Sequence, residues 1–69
     1  MPRIPTVEIS IDGSPLNIAR GTRLDVLLDA LWESTGHEPK LVAVNAHYVP
    51  REGWPTVLLH DGARVETVG

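Results

Sequence analysis

The stretch that decides the fold is Leu41-Val42-Ala43-Val44-Asn45-Ala46-His47-Tyr48-Val49-Pro50-Arg51-Glu52-Gly53-Trp54. Leu41 to Val44 is an unbroken apolar run, short enough for a strand that is covered on both faces or that sits at the centre of a small sheet. Asn45 ends the run, because asparagine tolerates a turn conformation. Tyr48 and Val49 resume an extended pattern. Pro50 stops a central strand, since it has no backbone N–H to donate and drives Val49 toward β geometry. Arg51, Glu52 and Gly53 then read as a tight polar corner, with Trp54 folded back as an apolar lid over the strand's packing face.

Working outward toward the N-terminus, Val7, Ile9 and Ile11 alternate with Glu8, Ser10 and Asp12, the period of two that gives a strand one buried face. Asp12-Gly13 follows directly. Both residues accept the positive φ that a type I′ turn needs, and Leu16 with Ile18 supplies the return strand, so residues 6–19 are expected to form a hairpin. Residues 1–5, with two prolines and little apolar content, read as a loosely tethered arm, and residues 6–69 as a single domain. Gly21 breaks the return strand. Thr22, with Asp25 three positions on, predicts a helix-opening cap. Leu24, Leu27, Leu28 and Leu31 then fall at i, i+3, i+4 and i+7, so a helix from residue 22 to about 34 should lay this stripe on the sheet. Gly36 supplies its stop, and residues 37–39 link to the Leu41 strand.

Beyond Trp54 the pattern predicts a short strand at Val57-Leu58-Leu59, a turn at Asp61-Gly62, and a last strand from Val65 to Val68. With one helix and so few residues, the economical closure is an α+β fold: a mixed four- to five-stranded sheet packed on one helix, with the first and last strands side by side. That arrangement is a β-grasp fold.

Size and composition remove several function classes. Sixty-nine residues give one small domain, which buries only about 60% of its unfolded surface. The absence of cysteine excludes a disulfide framework, a thiolate zinc site, an iron–sulfur centre and a cysteine nucleophile. The apolar runs are far below the ~20 residues of a membrane helix, and no hydrophobic leader follows Met1, so a soluble cytoplasmic protein is expected. Net charge is −3 and the six basic residues are scattered, which offers nucleic acid no phosphate-binding patch.

Most candidate chemical groups have bland explanations. His37, His47 and His60 fall in loops or strand ends at no metal-ligand spacing, so no metal is expected. Asp25, Asp29 and Glu33 repeat along one helix side and read as a solvated face, with nothing apolar beside them to raise a carboxylate pKa. Ser10, Ser14 and Ser34 have no histidine and acid at a triad-like spacing, and Gly13, Gly21 and Gly36 belong to turns and not to a phosphate loop. Trp32 and Trp54 are either core residues or part of a partner patch.

The block Val44-Asn45, Val49-Pro50-Arg51-Glu52 and Trp54, followed by Asp61-Gly62-Ala63-Arg64-Val65-Glu66, resembles the sulfur carriers of thiamine biosynthesis, the ThiS family, with the molybdopterin-synthase small subunits (MoaD) as more distant relatives. The match runs from about Val7 to Val68. It implies a ubiquitin-like β-grasp domain that is not an enzyme and holds no cofactor. The C-terminal carboxylate of such a protein, on a Gly-Gly tail, is adenylated by a ThiF-like enzyme and converted to a thiocarboxylate. A ThiG-like thiazole synthase then receives the sulfur. Glycine suits that tail because a backbone without Cβ can thread a narrow channel. By this resemblance Pro50, Arg51, Trp54, Arg64 and Val68 are candidate partner-binding residues, on a protein expected to be monomeric. The sequence as given ends Val68-Gly69, several residues short of the family's Gly-Gly. Three readings follow: a degenerate carrier used as a binding module, a truncated chain, or a carrier that uses Gly69 itself. On any but the third, the 69-residue form is expected not to be charged with sulfur.

Overall fold

A computed structural model describes residues 5–36 and 38–68. The elements are β1 (Thr6–Ile11), β2 (Ser14–Ala19), α1 (Leu24–Thr35), β3 (Leu41–Val44), β4 (His47–Tyr48), a 3-10 helix (Arg51–Thr56) and β5 (Arg64–Val68). They form one mixed sheet in the order β2-β1-β5-β3-β4. The hairpin β1–β2 turns at Asp12 and Gly13, both at positive φ (49° and 88°), the geometry a type I′ turn demands. β5 enters between β1 and β3, parallel to β1 (Ser10↔Arg64, Ile11↔Val65) and antiparallel to β3 (Leu41↔Val68 through Val44↔Val65). The expected β-grasp arrangement, with first and last strands adjacent, is the one found.

The leucine stripe of α1 meets this sheet. Leu24, Leu27 and Leu28 are buried with Ile9, Val42 and Val65, while Leu31, Val7, Ile11 and Val44 pack half-buried around them. Trp54, Leu59 and Ala63 complete the buried cluster. Gly36 closes the helix in the left-handed conformation (φ 77°) and donates its N–H to the Trp32 carbonyl. Asp29 and Glu33 are exposed, and Asp25 pairs with Arg23 at 3.1 Å.

Four expectations are corrected. Thr22 does not cap the helix: its hydroxyl donates to the Ala19 carbonyl at 2.6 Å, and the N-cap is Arg23 with no side-chain cap bond. The helix start is satisfied instead from across the chain, where Leu24 N–H donates to the Val57 carbonyl and Leu59 N–H to the Thr22 carbonyl. Those bonds also explain the second correction. Val57-Leu58-Leu59 is no strand of the sheet, only an isolated bridge from Leu58 to Arg23. The fifth strand is His47–Tyr48, folded back on β3 by Asn45 and Ala46, both at positive φ. The third concerns the Arg51 corner, which extends to Thr56 as a 3-10 helix. Pro50 suits its start, because the position before a helix lacks an intrahelical donor role. The fourth concerns Leu41–Val44, which sits beside the central strand but is not covered on both faces, since Leu41 is half exposed.

Candidate partner-docking face

Strand alternation sorts the β3–β4–β5 corner into two faces. Val42, Val44, Val65 and Thr67 turn toward α1. The partnered positions Leu41↔Val68, Ala43↔Glu66 and Ala43↔Tyr48 therefore turn away from it, with Arg64 two residues before Glu66 on the same side. On this outer face Leu41 is 47% exposed, Tyr48 62% and Val68 60%. Large apolar side chains from three strands thus share one uncovered surface, flanked by the exposed charges of Arg64 and Glu66. Contiguous exposed apolar groups rimmed by polar ones mark interaction sites more often than isolated ones do.

A second cluster adjoins it through Lys40. The Lys40 N–H donates to the Val68 carbonyl at 2.7 Å, and Lys40 also lines a shallow recess of about 410 Å³ with Glu38, Pro39, Arg51 and Trp54. Arg51 is exposed, forms an ion pair with Glu38, and places its guanidinium 5.9 Å from the ring centroids of both Trp32 and Trp54. The two rings lie 6.2 Å apart at 54°. Trp54 itself is 4% exposed, and its indole N–H donates to the Val49 carbonyl at 3.0 Å. It is a core residue that supports Arg51 from below; Trp32 is half-buried beside it.

Of the residues anticipated from sequence, Val68 and Arg64 lie on the outer sheet face, and Pro50 and Arg51 stand exposed at the start of the 3-10 helix. Trp54 is withdrawn from the surface. Gly69 and His37 lie outside the described residues. His47 and His60 are exposed, and among the described residues no group of three His, Asp or Glu side chains is placed to hold a metal ion. His60 instead borders an open cleft of about 700 Å³ between Thr6, Arg20 and Leu58. No helix among the described residues is long and apolar enough to cross a membrane. Leu41 and Tyr48 were not anticipated as surface residues. The period-two pairing of Leu41 with Ala43, opposite the buried Val42 and the half-buried Val44, is the pattern that carries that information.

No family model and no curated protein matches the sequence. Among solved structures, the chain is similar to the thiamine biosynthesis protein ThiS from Geobacter metallireducens. Identity is 25% and the TM-score 0.76, over 90% of this chain and 91% of that one. The likeness to a ThiS-like β-grasp protein therefore extends from a few motifs to nearly the whole backbone.

Proposed function

We propose that this protein is a ThiS-like sulfur carrier of thiamine (thiazole) biosynthesis, a cytoplasmic, monomeric cosubstrate and not an enzyme. The observation that carries the reading is the backbone likeness to ThiS across nine-tenths of both chains. The uncovered apolar face beside the end of β5 supports it, because a carrier must be held while its terminus is worked on elsewhere. The carboxylate of the chain following β5 attacks the α-phosphorus of ATP, pyrophosphate leaves, and an acyl adenylate remains. Sulfide then attacks the acyl carbon, AMP departs, and the terminus becomes a thiocarboxylate. The domain contributes no group to these steps. Its part is to present the terminus to a ThiF-like activating enzyme and afterwards to a ThiG-like acceptor.

The competing reading is a β-grasp interaction module that uses the same face without sulfur chemistry. Incubation with ATP, a ThiF-like enzyme and sulfide separates the two. The 69-residue form and a form extended to end in Gly-Gly are both followed by pyrophosphate release and intact mass. Replacement of oxygen by sulfur at the terminus of either form supports the carrier. Binding of both forms to the enzyme with sulfur gained by neither refutes it in favour of the module.

A further inference from the structure

Near each end of β5 one backbone N–H finds a side-chain oxygen in place of a main-chain carbonyl, the Asn45 amide oxygen at the start and the Asp12 carboxylate near the finish. Asn45 Oδ1 accepts the Arg64 N–H at 2.9 Å where β5 begins. At the other end Asp12 takes two bonds from one residue: its Oδ1 accepts the Thr67 N–H at 2.7 Å, and its Oδ2 accepts the Thr67 hydroxyl at 2.6 Å. The register explains why. Ser10 N–H donates to the Ala63 carbonyl and Asp12 N–H to the Val65 carbonyl, so the next rung of the parallel ladder would run from Thr67 N–H to the Asp12 carbonyl. Asp12 has left the strand for the turn, at φ 49°, and its carboxylate stands where that carbonyl would have been.

We propose that Asp12 is a positioning residue: it clasps Thr67, fixes the direction in which the chain leaves β5, and so aims the terminus that the carrier reading, on which this role rests, delivers for adenylation. On the opposite side the same point is held by β3, through Leu41↔Val68 and the Lys40 N–H to Val68 carbonyl bond. With Asp12 in place the end of β5 is gripped from both flanks. Without it the last residues are tied along one flank and can swing about that edge. The clasp is exposed, so its loss acts locally more than on global stability. A charge-assisted acceptor of two donors from one residue is a stronger local constraint than a neutral one.

Glycine and asparagine both accept the left-handed backbone at position 12, which makes Asp12→Gly and Asp12→Asn clean variants. Asn45→Gly, also at positive φ, removes the equivalent side-chain bond at the entry of β5 and serves as the control for loosening of the sheet. Amide exchange of the folded proteins is read at Thr67. It should accelerate about tenfold or more in Asp12→Gly, by less in Asp12→Asn, which keeps one neutral acceptor for the Thr67 N–H, and stay near the parent value in Asn45→Gly. Charging of the Gly-Gly-extended form by a ThiF-like enzyme should lose kcat in Asp12→Gly with little change in KM, and Asp12→Asn should restore it in part. Unchanged Thr67 exchange in Asp12→Gly overturns the clasp. Equal losses of charging in Asp12→Gly and Asn45→Gly overturn the positioning role and leave only a structural one. If the unsubstituted extended form is never charged, the carrier reading fails and the aiming role with it, while the exchange data still report whether the clasp exists.

Discussion

Leu28→Ala probes the contact between helix and sheet on which the candidate docking face is mounted. Leu28 is 1% exposed at the middle of the α1 stripe, in one cluster with Ile9, Val42 and Val65. A buried Leu→Ala change costs about 2–5 kcal/mol, and the upper half of that range applies where rigid strands on the far side cannot close the gap. A domain of 69 residues holds only about 3–10 kcal/mol in all, so this one substitution removes a large part of it. With a urea dependence of about 1 kcal/mol per molar, the midpoint should fall by about 2 M or more. Trp54 lies in the core and Trp32 packs against it, and both report the transition by fluorescence. Val26→Ala is the control, two residues away on the same helix but 49% exposed. It should change stability by less than about 0.5 kcal/mol, helped by the higher helix propensity of alanine. A loss below half a kcal/mol at Leu28, or equal losses at both positions, would refute the packing argument.

Tyr48→Ala should weaken binding to a ThiF-like enzyme about tenfold or more by calorimetry, while Leu58→Ala, equally apolar and 50% exposed but off the sheet face, should leave the Kd unchanged. Equal effects from the two would remove the outer face as the docking site. Arg51→Ala removes two ring contacts and one exposed ion pair, so it should cost about 1–2 kcal/mol and alter tryptophan emission. An unchanged melting temperature with lost binding would assign Arg51 to a partner alone.

The elements governed by local rules were legible in the sequence. Val7, Ile9 and Ile11 alternate, Asp12-Gly13 can take only a few turn shapes, and the leucines of α1 repeat at helical spacing, so hairpin, helix and last strand were all readable. What failed turned on partners that the local pattern does not rank. Thr22 has the chemistry of a cap, yet its hydroxyl was claimed by the Ala19 carbonyl three residues back, and the Leu24 amide was met by the Val57 carbonyl from across the chain. Val57-Leu58-Leu59 has strand composition, but β5 already fills the place beside β1 and β3. Among the candidate partner residues, Arg51, Arg64 and Val68 are exposed, whereas Trp54 takes the core position that the lid reading gave it, with its indole N–H on the Val49 carbonyl. The Asp12–Thr67 clasp joins residues 55 positions apart and has no local pattern to announce it.

The placement of β5 also sets the order in which the molecule can be completed during synthesis. The strand at the centre of the sheet is the last of the described strands to be made, so β1 and β3 have no partner between them until translation has passed Val68. At about 5–20 residues per second, the hairpin waits several seconds with Ile9 unprotected before the core can close. Before β5 is made, the hairpin and the helix have no shared central strand to close on, and the sheet becomes continuous only when β5 is added. β5 is thus the keystone of the domain.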